Sequence, residues 1–212
     1  MHLKVCGVRT MPMAQSCQDL SVPYVGFNFV PTSKRYIAPI SAQNLSHAYT
    51  GQKVGVFQNE TLEKIFETCQ LVDLDIIQLH GQETPEMIET LKNELKKIKP
   101  FKIWKAFSVD ESFDFRQLQQ YGKNCDLFLF DGANPGSGTQ IVNTSTLHDA
   151  ISETQKLSIP FALAGGINPN TAAKSLDLFP TATLFDTASG VETNQEFKAE
   201  KLKQLLEILK DE

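Results

Sequence analysis

At 212 residues the chain has room for one sizeable domain or two small ones. A single domain of that length buries roughly 70 % of its unfolded surface and needs no disulfide or metal for stability. Its 20 basic and 25 acidic residues leave a net charge of −5, which argues against a general nucleic-acid or anionic-membrane binder. With 41 % hydrophobic and 21 % charged residues the composition is that of a globular chain and not of a disordered one.

The first apolar run, Leu3–Val8, predicts a strand, and Met11–Leu20 after it carries the poorest helical stripe of the chain. Tyr24–Phe29 and Lys53–Phe57 follow as strands, with Ser41 marking a helix start between them. Leu62, Ile65, Phe66 and Cys69 recur at i, i+3, i+4 and i+7, the stripe of a half-buried helix. Asp75–Leu79 is the next strand, and Thr84-Pro85 places a cap and a first-turn proline ahead of the stripe Met87, Ile88, Leu91, Leu95 and Ile98. Lys102–Phe107 and Leu127–Phe130 are strands, and the polar, Gly-rich stretch 132–144 reads as a loop. Phe161–Ala164 precedes Asn168-Pro169, a helix opening by the same cap-and-proline signal. Thr183–Asp186 is the last strand, and Leu202, Leu205, Leu206 and Leu209 form a final stripe.

Eight strand signals, each followed by a helix signal, is the count for a closed (β/α)8 TIM barrel, here one catalytic domain over residues 1–212. An open doubly wound sheet would usually have fewer units, and no G-x-G-x-x-G follows the first strand. The longest apolar runs are a few residues, against about 20 for a membrane span. The cysteines at 6, 17, 69 and 125 form no C-x-x-C pair and the N-terminal residues no leader pattern, so a reducing cytoplasm is the expected setting.

In a barrel of this kind chemistry sits just past the strand C-termini. Those positions carry Cys6-Gly7-Val8-Arg9, Ser33-Lys34-Arg35, His80-Gly81, Asp131-Gly132, Gly165-Gly166 and Ser189-Gly190. Gly165-Gly166 lets backbone approach a ligand, and Ser189-Gly190 adds a second turn of exposed N–H groups. Adjacent glycine turns after strands 7 and 8 make an anion site, where many barrels bind phosphate; the plainer reading is tight turns alone. Cys6 reads as core packing or, before a glycine at the top of strand 1, as a reactive thiol; Cys17, Cys69 and Cys125 read as core. Asp131 either caps its loop or serves as an acid or base. With strands 6, 7, 8 and 1 consecutive in the ring, Asp131 and Cys6 flank the glycine site, a geometry suited to proton transfer on a phosphosugar. Arg35 reads as a carboxylate clamp or a solvated cation, and His80 as a base or a residue bonded to strand-end backbone.

Taken together, K-V-C-G, G-F-N-F with S-K-R, V-G-V-F, Q-L-H-G, L-F-D, A-G-G-I-N-P and S-G-V-E, in this order from Lys4 to Glu192, resemble the phosphoribosylanthranilate isomerase family of the tryptophan pathway. The resemblance implies an Amadori rearrangement of N-(5-phosphoribosyl)anthranilate with no metal or organic cofactor. It implies Cys6 as general base, Asp131 as general acid, and Arg35 as the holder of the anthranilate carboxylate. The partner implied is this small phosphosugar–anthranilate, with no nucleic acid or membrane, the chain being a monomer or homodimer. At neutral pH an aspartate near pKa 3.9 and a cysteine near 8.5 both start in the wrong protonation state. Arg9, where the family usually has threonine, reads either as a cation that lowers the Cys6 pKa or, the plainer reading, as a solvated loop arginine. The family's loop after strand 6 usually reads Gly-Gly-Thr-Gly, then Phe-Asp-Trp. Here it is Ser137-Gly138-Thr139-Gln140, then Asn143-Thr144-Ser145, with Gly138 a candidate on the active face.

Other readings differ at particular residues. A pentulose-phosphate epimerase would need metal-binding His and Asp on several strands. Indole-glycerol-phosphate synthase would need an early catalytic lysine, whereas Lys4 lies before the active end of strand 1. A histidine-pathway isomerase would place an aspartate where Cys6 stands. A non-catalytic phosphosugar-binding barrel would need neither Cys6 nor Asp131.

Overall fold

The computed structural model describes residues 1–132 and 145–210. Eight strands, β1 (His2–Cys6), β2 (Tyr24–Asn28), β3 (Gln52–Phe57), β4 (Ile76–Leu79), β5 (Lys102–Ser108), β6 (Leu127–Asp131), β7 (Phe161–Ala164) and β8 (Leu184–Thr187), pair in parallel in chain order, and β8 closes on β1. The helices are α1 (Met11–Asp19), α2 (Pro39–His47), α3 (Leu62–Leu71), α4 (Pro85–Leu95), α5 (Leu118–Tyr121), α6 (Ser145–Lys156), α7 (Ala172–Leu178) and α8 (Ala199–Lys210). This is the (β/α)8 barrel expected from the strand count. Among the described residues no helix is long and apolar enough to cross a membrane.

The boundaries have local causes. β1 stops at Cys6, two residues short of the expected limit, because Gly7 turns into the left-handed region at φ 81°. Thr61 and Thr84 cap α3 and α4, their side-chain oxygens accepting from the N–H of Lys64 and Met87. Two expected starts are displaced. Ser41 lies inside α2, which opens at Pro39, where the fixed φ of proline suits a first helical position. Asn168-Pro169 belongs to a turn, and α7 begins only at Ala172. The Asn168 side chain accepts from the N–H of Asn170 and donates to the carbonyl of Gly166, so its capping capacity is spent on folding the loop. After β5 the helical layer thins to a 3-10 turn, Phe115–Gln117, and the single turn of α5.

Alternation along each strand sorts side chains between two cores. Outward residues such as Val25, Phe27, Phe128 and Phe185 join the helix stripes, including Ile65, Leu91, Leu202 and Leu205, in the larger outer core. Cys17, Cys69 and Cys125 are buried there, as expected. Inward residues Val54, Val56, Ile76, Leu127, Leu129 and Leu184 pack the barrel interior, and Tyr24 meets Trp104 with ring centroids 5.4 Å apart. The small residues Gly26, Ala106, Ala162 and Ala164 on the same face make room for these rings and for longer polar side chains. Above this plug the inward positions turn polar: Cys6, Asn28, Gln78, Asp131 and Asp186. The fold therefore delivers a packed floor with chemistry above it.

Candidate active site

A cavity of about 260 Å³ opens at the C-terminal ends of the strands. Its walls include Cys6, Arg35, His80, Asp131, Gly165, Gly166, Ser189 and Gly190, so eight of the ten expected site residues meet in one space. Arg9 is the first exception. Its guanidinium donates to the carbonyls of Lys34 (2.9 Å) and Gln195 (2.7 Å), tying the loops after β1 and β2 to the turn between the short strands Glu192–Thr193 and Glu196–Phe197. It is a strap across three segments, and the groups that act on the Cys6 thiol are others. Gly138 lies outside the described residues.

The glycine rim requires glycine for two separate reasons. Gly165 and Gly166 sit at φ 90° and 69°, where side chains are strained. Gly190 is pinned by proximity: a Cβ there would run into the carbonyl oxygen of Ile167. The Thr187 hydroxyl donates to that same carbonyl at 2.7 Å, locking the loops after β7 and β8 together. Ser189–Val191 forms a 3-10 turn beside them. Two loops with backbone exposed at close quarters make a concave surface suited to an oxyanion.

Asp131 ends β6 facing inward, only 7 % exposed, and its Oδ1 accepts from the N–H of Gly132 at 2.9 Å. His80 Nε2 lies 3.8 Å from Asp131 Oδ2. Desolvation, reinforced by the positive charges of Lys105 and Lys4, lowers the His80 pKa to about 4. The imidazole is therefore neutral at physiological pH, and the contact is not an ion pair. The main chain of His80 also holds its strand end, its N–H donating to Phe57 and its carbonyl accepting from Gln58.

Arg35 is buried and held bidentately by Glu192, with Nε–Oε1 3.1 Å and Nη2–Oε2 2.7 Å. Its aliphatic stem crosses Gly7 so closely that a Cβ there would overlap it. Glu192, the last residue of S-G-V-E, is thus what aims the guanidinium at the cavity.

Burial pushes the Cys6 thiol up, Lys4 pulls it down, Asp186 pushes it up and Arg35 pulls it down. Lys4 is fully buried, and its ammonium bridges Asp186 Oδ2 at 2.8 Å. Burial works against the charged lysine, but Asp186 and the thiol outweigh it and raise its pKa. Asp186 is raised by burial against the pull of Lys4. From sequence, Lys4 lies before the active end of its strand, and Asp186 is simply the last residue of an apolar run. Two signals could have found them: Lys4 and Cys6 are two apart in one strand, hence on one face, and Leu184-Phe185-Asp186 repeats the Leu129-Phe130-Asp131 ending of β6. Among the described residues no group of three or more His, Cys, Asp or Glu could hold a metal ion.

The family model for N-(5'-phosphoribosyl)anthranilate (PRA) isomerase matches residues 3–207. The isomerase of that name from Clostridium acetobutylicum is 34 % identical over 209 residues, covering 96 % of this chain and 95 % of its own length. That of Thermoanaerobacter pseudethanolicus is 31 % identical over 207 residues, covering 97 % and 96 %. Among solved structures, phosphoribosyl anthranilate isomerase from Thermus thermophilus superposes with a TM-score of 0.83 at 28 % identity, covering 100 % of this chain and 99 % of that one. A phosphoribosyl anthranilate isomerase in complex with reduced 1-(o-carboxyphenylamino)-1-deoxyribulose 5-phosphate superposes at 0.79 with 25 % identity over the full length of both. The chain belongs to the N-(5'-phosphoribosyl)anthranilate isomerase family.

Proposed function

We propose that the chain, as one catalytic domain over residues 1–212, converts N-(5'-phosphoribosyl)anthranilate to 1-(2-carboxyphenylamino)-1-deoxyribulose 5-phosphate in tryptophan biosynthesis. The observation that carries the assignment of residues is that Cys6 on β1 and Asp131 on β6 reach one cavity whose rim, on the intervening β7 and β8, is the double glycine turn. The substrate phosphate sits on the backbone around Gly165, Gly166, Ser189 and Gly190. Its anthranilate carboxylate lies toward Arg35, which Glu192 orients.

Asp131, protonated, gives its proton to the furanose oxygen as the C1'–O bond breaks, and the anthranilate nitrogen lone pair forms the protonated imine. Cys6, as thiolate, removes the C2' proton; those electrons move to the imine nitrogen and leave an enolamine. Tautomerisation of the C2' enol then yields the ketone. The imine is the electron sink, so the step asks only for a placed acid and a placed base. A neutral His80 beside Asp131 is compatible with an acid that starts protonated.

The setting that fits four unpaired cysteines is a reducing cytoplasm. The Thermotoga maritima structure that is 27 % identical with a TM-score of 0.82 is of monomers generated from a dimeric phosphoribosylanthranilate isomerase; this chain works as a monomer or homodimer on a small-molecule substrate.

The test is the decay of phosphoribosylanthranilate fluorescence with purified protein. Turnover is expected in the wild type, and Asp131→Asn and Cys6→Ser should each lose on the order of 10²–10⁴ in kcat. Binding of the substrate without turnover by the wild type would overturn the reading in favour of a binding barrel.

A further inference from the structure

A buried charged cluster beside Cys6 takes no part in the steps above. Lys4 and Cys6 are two residues apart in β1 and share its inward face. Both lie over Gly26 of β2: a Cβ built there would stand 3.1 Å from Cys6 Sγ and 3.1 Å from Lys4 Cε, so a side chain at this position would press on both. Lys4 is paired in register with Asp186 of β8 and bonds its Oδ2 at 2.8 Å. The other oxygen, Oδ1, is buried, lies on an aspartate that lines the cavity, and has no hydrogen-bond partner among the described residues. A thiol thus stands beside a fully buried positive charge and a carboxylate that is 8 % exposed at the cavity wall.

We propose that the Lys4–Asp186 pair is the device that sets the protonation of Cys6, with Lys4 favouring the thiolate and Asp186 restraining it. Neither touches the reacting carbons in this scheme, so both are positioning residues, and the proposal rests on Cys6 being the base of the reading above. The other charged and titratable groups around the thiol are accounted for. Arg35 comes from the loop after β2 with its charge matched by Glu192. His80 and Asp131 stand together at the ends of β4 and β6, the histidine neutral. Arg9 is turned away onto backbone carbonyls. Among the described residues Lys4 and Asp186 are therefore the charges that act most strongly on the sulfur, and burial leaves their fields little screened.

The pair carries opposite effects on one group, which gives a test that a merely structural role fails. Cysteine 13Cβ-labelled protein is titrated by NMR without substrate, and the Cys6 resonance is assigned from its loss in Cys6→Ser. Burial pushes Cys17, Cys69 and Cys125 to about 12, so they do not interfere near neutral pH. Asp186→Asn should lower the Cys6 midpoint by about one pH unit, and Lys4→Met should raise it by about as much, each a tenfold change in thiolate fraction. If Lys4→Met alone does not fold, Lys4→Met/Asp186→Asn replaces it, and its midpoint must lie above that of Asp186→Asn. Midpoints that stay within about 0.3 unit of wild type, a twofold change, or that move in the same direction in both variants, overturn the proposal. Because no turnover enters the titration, this failure is distinct from failure of the isomerase assay.

Discussion

At the scale of single residues the site works by keeping charge where it is matched and removing it where it is not. Arg35 has Glu192 and Lys4 has Asp186, while His80, with no cationic role to fill, is neutral through burial. That neutrality has a consequence for stability. The folded-state pKa is about 4 and the ordinary value 6.5, so the unfolded chain takes up the proton first as pH falls. Stability contributed by a neutral His80 is complete above pH 6.5 and is lost as pH falls towards 4. The loss amounts to about 3 kcal/mol at 1.36 kcal/mol per unit. Urea midpoints measured from pH 7 to pH 4 should fall less steeply in His80→Gln than in the wild type.

At this scale the sequence was most legible where chemistry and position coincide. Cys6, Asp131 and Arg35 were legible as cavity residues because Cys6 and Asp131 close apolar strand runs and Arg35 lies in the loop after β2, all on the face where βα loops gather. Lys4 was read as below the site because sequence gives height along a strand but not the reach of a lysine. Asp186 was hidden because its partner is 182 residues away in the chain.

At the scale of elements, the β7 and β8 loops act as one unit. Ile167 carbonyl accepts from Thr187 and lies against Gly190, so the two turns share a backbone contact with no slack. Gly190→Ala should force these loops apart. If these loops hold the substrate phosphate as proposed, their displacement by an ångström is expected to raise KM by on the order of 10–10²-fold, measured in the fluorescence assay. A cap that does not line the cavity should behave otherwise. Thr84→Ala removes the bond to Met87 N–H and should cost about 1 kcal/mol of unfolding free energy with kcat unchanged. The strand runs and the α3, α4 and α8 stripes were legible because one face of each is apolar at a fixed period. The start of α7 was not, because Asn168-Pro169 satisfies the rules of a helix cap and of an Asx turn equally well. Hydrogen bonds from Asn168 and Thr171 to the Gly166 carbonyl decide for the turn.

At the scale of the molecule, the barrel is an outer apolar shell around an inner column that changes from packed rings to polar groups as it rises. The eightfold count was legible from alternating strand and helix signals, and the inner column follows from the same alternation once register is known. A buried ion pair inside such a column is a stability liability when it loses one member. Lys4→Met should cost about 3–5 kcal/mol, whereas Lys4→Met/Asp186→Leu should unfold within about 1 kcal/mol of the wild type or later in urea.

The bridge between β1 and β8 also spans the seam at which the sheet becomes a ring. Sliding β8 by one residue would turn Asp186 outward among the helices and leave the ammonium of Lys4 facing Phe185 or Thr187. A misthreaded barrel is thereby charged with an unpaired buried cation, while the correctly threaded one is not. The two residues that bracket the thiol therefore also act as a checksum on assembly, and a chain that closes wrongly lacks both its fold and the setting of its thiol.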